Sequence, residues 1–199
     1  MEFETGSPGS PDEQGRQLAW TKCGKSKFEM ELRSVEAVVA ALNAAEVRYL
    51  IVGGLAVNAH GYLRATRDLD LVIQLESDNL RRGLQCLFEI GYRLAIPVSV
   101  EDFADASKRE AWRDEKGMIV LKLWSDDHRR TPVDVFVYEP FDFYKEFEKA
   151  CLSELQPGIF ARIVSLEALI EMKLVANRPH DLMDVEELRR VERLNNEKA

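Results

Sequence analysis

The chain has 199 residues, of which 46% are apolar and 31% are charged, and its formal net charge is −8. This is the balance of an ordinary soluble globular domain, and no apolar stretch approaches the roughly 20 residues of a membrane-spanning helix. The acidity argues against a broad non-specific grip on long nucleic acid, because that grip depends on lysine and arginine neutralising phosphates.

The length predicts one domain with a sizeable core and a small helical appendage. We expect residues 1–27 to be a disordered tail or one left by cloning, residues 28–164 to form the core, and residues 165–199 to form C-terminal helices packed on it. The three cysteines are scattered without metal-binding or disulfide spacing, and no signal peptide precedes them, so a cytoplasmic location is predicted.

A helix is predicted over residues 30–46, where apolar residues recur with helical period, and it should pack on the sheet just before the first strand. That strand is the apolar run at residues 50–52, which breaks at Gly53 and Gly54. Glycines allow a sharp turn and let a phosphate approach backbone N–H groups at the start of the short helix expected over residues 55–60.

A second strand is predicted over residues 68–73, in which Asp68 and Asp70 point to one face while the apolar residues point into the core. Two neighbouring carboxylates repel each other, so ionising both requires a compensating positive charge. Mg²⁺ supplies such a charge and prefers oxygen ligands. The order strand, Gly-Gly, helix, Asp-x-Asp strand therefore indicates a metal and phosphate site far better than either motif alone.

The next helix is predicted over residues 79–90 with Ser77 or Asp78 as its cap. Beyond it the pattern weakens, and we expect a short helix near residues 100–103 and a solvated loop over residues 108–116.

Two antiparallel strands are then predicted at residues 117–124 and 131–137, joined by a polar turn. The second contains Asp134 within an apolar run, where a carboxylate is costly to bury unless it is paired or binds a metal. The alternative is that Asp134 sits on a solvent-facing side of the strand.

The last part of the chain is predicted to hold an aromatic helical face, a strand and two helices. The aromatic residues are expected in the core, with a base-stacking platform as the alternative: Phe143, Tyr144 and Phe147. The strand at residues 159–164 should cover the sheet edge, and Ser165 should cap a helix over residues 166–177. A final helix begins near His180 with acids in its first turn.

These motifs together resemble the nucleotidyltransferase superfamily, whose fold is shared with DNA polymerase β. The residues that carry the resemblance are Gly53-Gly54, Asp68-Leu69-Asp70 and the later lone Asp134. The resemblance implies an α/β (α+β) fold, with a mixed sheet flanked by helices and a C-terminal helical segment. It also implies transfer of a nucleoside monophosphate from an NTP with two Mg²⁺ ions held by the three aspartates, and Asp134 as general base.

The resemblance further implies nucleotide contacts on both sides of the acids. Gly53, Gly54 and Thr66 would contact phosphates, and Arg64 or Arg67 would neutralise their charge. The segment from Lys173 through Asp181 to Asp184 resembles bacterial abortive-infection toxins of this superfamily, which implies nucleotide binding by Lys173 and Asp181. As an alternative for Asp181 and Asp184, acids in the first turn of a helix stabilise its dipole.

The acceptor is open at this stage. A toxin-like member would modify a tRNA end or a protein hydroxyl and would be held in check by a cognate antitoxin. A drug-modifying member would act on an aminoglycoside or lincosamide, and the acidic surface suits a cationic drug. A catalytically idle nucleotide-binding or interaction module, or a structural partner protein with an unused cleft, completes the alternatives.

Overall fold

The computed structural model describes residues 31–197, and the predicted tail at residues 1–27 lies outside them. The described residues form a seven-stranded mixed sheet flanked by helices, which confirms the predicted fold class. The helices are α1 Leu32–Ala44, α2 Gly53–Ala59, α3 Ser77–Glu89, α4 Val100–Ala104, α5 Ala106–Lys116, α6 Phe143–Lys149, α7 Leu166–Ala176 and α8 Pro179–Asn196. The strands are β1 Tyr49–Val52, β2 Leu69–Ile73, β3 Tyr92–Leu94, β4 Val120–Ser125, β5 Val133–Phe136, β6 Cys151–Gln156 and β7 Ile159–Ile163.

The strand order across the sheet is β3-β4-β5-β2-β1-β7-β6. β2 runs parallel to β5 and β1 runs parallel to β7, while the other neighbouring pairs are antiparallel. All four residues of β1 are buried. A strand covered on both faces needs a continuous apolar run of this kind, so the unbroken run that ends at Val52 fits a place near the middle of the sheet.

The apolar core lies between the sheet and helices from both the N-terminal and the C-terminal parts of the chain. Val38, Val39 and Leu42 of α1 are fully buried, and α1 packs against α3 and β7. Leu169 of α7 and Leu188 of α8 belong to the same apolar cluster. Among the described residues, no helix combines the length and the apolar character that crossing a membrane requires.

One segment differs in kind from its prediction, since the expected solvated loop at residues 108–116 is helix α5. Asp105 caps it by accepting hydrogen bonds from the backbone N–H groups of Ser107 and Lys108, and Gly117 ends it at a φ of +61°. The helix was missed because its buried residue is Arg109, so no apolar stripe marks it.

Three smaller predictions are also wrong. Ser77 and Asp78 lie inside the first turn of α3, where Glu76 is the N-cap and makes no side-chain cap bond. The strand β7 does not cover the edge of the sheet, because β6 pairs outside it. Tyr144 is 58% exposed rather than in the core, although Phe143 beside it is buried.

Candidate active site

The three predicted acids meet where β2 and β5 begin. The register of these parallel strands pairs Asp70 directly with Asp134, so both side chains lie on the same face of the sheet. Asp68 lies just before β2, and its negative charge raises the pKa of Asp70 and of Asp134. The fold therefore brings together carboxylates that are 66 residues apart in sequence at their widest (134 − 68).

The electrostatics of this acid cluster, defined as Asp68, Asp70 and Asp134, favour a cation. Burial, followed by the charges of Asp134 and Asp68, raises the pKa of Asp70 to about 7. Burial also raises the pKa of Asp134, although Lys122 works in the opposite direction. Carboxylates whose pKa stays raised in this way are not fully neutralised by the one lysine beside them, and a further cation would favour their ionised form.

The two oxygens of Asp134 have different surroundings. Asp134 is only 6% exposed, so it does not lie on a solvent-facing side. Its Oδ2 accepts a hydrogen bond from Lys122 Nζ at 3.0 Å, whereas its Oδ1 is buried without a hydrogen-bond partner among the described residues. A buried carboxylate oxygen without a partner is costly, and a metal ion would satisfy it.

The glycine turn lies against the acid cluster. Gly53 has a φ of +65°, and a Cβ built on it would lie 1.9 Å from Asp70 Oδ2. A Cβ on Gly54 would lie 2.3 Å from Thr66 Oγ1. Both positions therefore require glycine, because a side chain at either one would collide with Asp70 or Thr66. Helix α2 starts at Gly53 itself, two residues earlier than predicted.

The loop before β2 carries the other predicted phosphate contacts. Thr66 lies over Gly54, and Arg67 is an exposed residue of the same loop. Arg64 makes a two-pronged ion pair with Asp184 of α8, with Nε to Oδ1 at 2.6 Å and Nη2 to Oδ2 at 2.8 Å. This pair attaches the loop to the C-terminal helix.

Lys173 and Asp181 lie in a network of charges, buried at the lysine and the two aspartates, that we name the C-terminal ion network: Arg64, Lys173, Arg178, Asp181 and Asp184. Lys173 Nζ contacts Asp181 Oδ1 at 3.0 Å and Asp184 Oδ2 at 2.6 Å, and the lysine side chain is 7% exposed. Although burial raises the pKa of Asp181, its hydrogen bonds from Arg178 and Lys173 lower it overall. The network lies beside the glycine turn and the acid cluster, since a Cβ built on Gly54 would lie 3.3 Å from Arg64 Nη1.

Two features of this site were missed in the sequence. Lys122 faces Asp134 across the β4–β5 pair, and although the sequence predicted these strands as antiparallel neighbours, it did not predict their register. The pairing of Asp184 with Arg64 joins residues 120 positions apart, and no local pattern signals it.

No group of three or more histidine, cysteine, aspartate or glutamate side chains within residues 31–197 is already arranged to hold a metal ion. A cleft of about 200 Å³ lies elsewhere, at the opposite end of β2 and β5, and includes Leu75, Arg109 and Glu139 in its lining. The acid cluster is not part of it.

Comparison with solved structures identifies the fold. The lincosamide antibiotic adenylyltransferase LnuA, bound to lincomycin, is similar at 13% identity over 82% of this chain and 99% of that chain, with a TM-score of 0.50. ANT(2″)-Ia in complex with adenylyl-2″-tobramycin follows at 15% identity, 82% and 93% coverage, and a TM-score of 0.49. An antigenic nucleotidyltransferase-like protein from Paracoccidioides brasiliensis has 21% identity, 79% and 75% coverage, and a TM-score of 0.47.

No protein-family model matches the sequence, and a search of curated proteins finds no match. The likeness to LnuA is one of fold, and it confirms at that level the superfamily resemblance predicted from the motifs. The chain has the nucleotidyltransferase fold.

Proposed function

We propose that this chain is a metal-dependent nucleotidyltransferase that moves a nucleoside monophosphate from an NTP to a hydroxyl acceptor and releases pyrophosphate. The observation that carries the proposal is the pairing of Asp70 with Asp134 beside Asp68 and the glycine turn. A family likeness in fold alone would not specify an activity, since one fold hosts many functions.

The acid cluster fits Mg²⁺. Its donors are all carboxylate oxygens, one of which is buried and has no hydrogen-bond partner within residues 31–197, and burial together with the neighbouring acids holds the pKa of Asp70 at about 7. Asp68, Asp70 and Asp134 would hold two such ions, which would neutralise charge on the triphosphate and on the attacking oxygen. Mg²⁺ commonly takes only one or two carboxylates and completes its shell with substrate phosphates, so the protein need not supply a closed cage.

The glycine turn and the loop before β2 would seat the triphosphate. Gly53 and Gly54 would seat phosphates through their backbone N–H groups, because Asp70 and Thr66 fill the space where their side chains would lie, and the Thr66 hydroxyl would donate to a phosphate. Arg67 would contact the leaving phosphates directly. Arg64 and Lys173 would add positive charge from within the C-terminal ion network, where Asp181 holds Lys173 in place.

Asp134 would act as the general base. The acceptor oxygen attacks the α-phosphorus, its proton passes to Asp134, and the bond between the α-phosphorus and the bridging oxygen breaks so that its electron pair leaves with pyrophosphate. Most of the rate would come from positioning and from charges already in place.

For the acceptor we propose a tRNA end or a protein hydroxyl, because the segment from Lys173 to Asp184 resembles the toxin-type members. A cognate antitoxin would then restrain the protein. A drug hydroxyl is the second candidate, and the fold likeness to a lincosamide adenylyltransferase favours it. Growth arrest on expression of the single chain would support the first candidate, and drug resistance would support the second.

Incubation with labelled NTPs, Mg²⁺ and separate pools of cellular RNA, protein and drugs tests the proposal. We expect one pool to take up the label with release of pyrophosphate. The Asp70→Asn variant, which keeps the shape of the side chain, should abolish transfer and leave the fold intact. Near wild-type transfer by that variant would remove the acid cluster from the mechanism.

Titration calorimetry separates an enzyme from an idle nucleotide-binding module. Both would bind an NTP in the presence of Mg²⁺, but the idle module would release no pyrophosphate with any acceptor pool. Absence of NTP binding by the wild-type chain would contradict both.

A further inference from the structure

Lys122 lies on β4, the strand that pairs with β5, and it is in direct contact with the acid cluster through Asp134. It lies directly opposite Asp134 in the antiparallel pairing of β4 with β5. Its ammonium donates to Asp134 Oδ2 at 3.0 Å, and its side chain is 61% exposed while that of Asp134 is 9% exposed. The flanking Leu121 and Leu123 are buried, so Lys122 projects from the opposite face of β4, on the side of the acid cluster.

The ammonium faces all three acids and not Asp134 alone. The hydrogen bond with Asp134, together with the charges of Asp134, Asp68 and Asp70, raises the pKa of Lys122. Lys122 therefore provides a cation at the site where the proposed function places a divalent ion.

The two oxygens of Asp134 differ in their hydrogen bonding. Oδ2 is held by Lys122, and Oδ1 is buried and has no partner among the described residues. A carboxylate held by one oxygen cannot turn freely, so the other oxygen is presented in a fixed direction.

We propose that Lys122 is the resident counter-charge of the acid cluster, which occupies one oxygen of Asp134, leaves the other for a divalent cation, and weakens the binding of that cation by its own positive charge. This inference rests on the proposed function, since it concerns the same site. It assigns Asp134 the role of a one-oxygen ligand, and it gives the acid cluster a resident counter-charge when no metal is bound.

Two opposite effects follow from removing the ammonium. A single positive charge a few ångströms from a divalent ion in a solvated site repels it, so its loss should tighten binding about tenfold. Without metal, however, the acid cluster would lose its counter-charge, and the protein should then be less stable.

The test is calorimetric titration of Mn²⁺ alone, without nucleotide, into the wild type and the Lys122→Met and Lys122→Arg variants, together with thermal unfolding in EDTA. We expect Lys122→Met to bind Mn²⁺ about tenfold more tightly and to melt at a lower temperature in EDTA. Lys122→Arg keeps the charge and should stay within about twofold of the wild type in affinity.

Lys145→Met is the matched control, since Lys145 also pairs with an aspartate, Asp142, but on the exposed surface of α6. It should change neither quantity.

Unchanged or weaker Mn²⁺ binding by Lys122→Met, beside clear binding by the wild type, would overturn this inference and leave the proposed function standing. A change in Lys122→Arg as large as that in Lys122→Met would overturn it as well. The Asp70→Asn variant decides the premise: if it binds Mn²⁺ as the wild type does, or if the wild type binds none, the proposed metal site fails and this inference fails with it.

Discussion

At the scale of single residues, Asp70 makes stability depend on pH. Its pKa is raised to about 7 from an ordinary 3.8 by burial and by its acidic neighbours, so the folded state holds a proton that the unfolded state releases. The stability that protonated Asp70 contributes is then fully present below about pH 4. It is lost as pH rises from there through about 7, on the order of 1.4 kcal/mol per pH unit.

Urea denaturation in EDTA between pH 4 and 8 measures this effect. The Asp70→Asn variant carries no titrating group at position 70, so the loss of stability over this range should shrink by a few kcal/mol. Asp68 and Asp134 remain in both proteins, so any pH dependence that persists in the variant comes from the other acids. Parallel pH profiles for the two proteins would show that Asp70 ionises normally.

Gly53 is fixed by its backbone and by its neighbour. The change Gly53→Ala puts a Cβ 1.9 Å from Asp70 Oδ2 at a φ of +65°. Strain of this kind costs about 1–3 kcal/mol, and a displaced Asp70 should cost about 100-fold in transfer. Thermal unfolding and pyrophosphate release measure the two effects.

Gly158→Ala provides the control, because Gly158 also has a positive φ, +83°, but a Cβ there meets nothing within 4 Å. It should show the backbone strain without loss of transfer. Equal transfer by the two variants would contradict the close approach of Gly53 to Asp70.

These residue positions could be predicted to different degrees. The glycine turn and the acids follow from local spacing, because a strand alternates its faces and Asp-x-Asp therefore shares one face. Lys122 and Asp184 could not be chosen among the other charged residues, since their partners are set by strand register and by helix packing.

At the scale of elements, the C-terminal ion network fixes helices α7 and α8 to the loop before β2. The change Lys173→Met leaves Asp181 and Asp184 buried with less positive charge. Removing one partner of a buried ion pair costs about 3–5 kcal/mol, so we expect a loss of that size in urea denaturation as well as a loss of transfer.

Lys145→Met should leave stability unchanged within the error of the measurement, because its ion pair is exposed. The double variant Lys173→Met, Asp181→Asn should recover part of the loss, since it removes one of the uncompensated acids. A Lys173→Met protein as stable as the wild type would mean that the lysine does not stabilise the fold through its contacts with Asp181 and Asp184.

The elements that were predicted and those that were missed differ in what they bury. α7 shows its Ser165 cap in the sequence, and the serine accepts from the backbone N–H of Ala168 as expected. α5 buries Arg109 in place of an apolar stripe, and the edge strand β6 buries only Leu155, so neither has the periodicity that marks an element.

At the scale of the whole molecule, the site depends on the C-terminal helices being part of the core. Asp184 lies on the same helix as Val185 and Leu188, which are buried against the rest of the protein. Packing of this helix therefore determines where Asp184 meets Arg64. Because Arg64 and Asp68 lie in the same loop before β2, the helix also influences the position of Asp68.

Leu188 tests this dependence, because it is fully buried while Leu182 on the same helix is 45% exposed. Leu188→Ala should cost about 2–5 kcal/mol in urea denaturation, and Leu182→Ala less than about 0.5 kcal/mol. If α8 sets the position of Asp184, Leu188→Ala should also lower transfer at a temperature where the variant is still folded, and Leu182→Ala should not. Equally small effects of the two changes would show that α8 contributes little to the core, and the C-terminal ion network would then hold the helix in place.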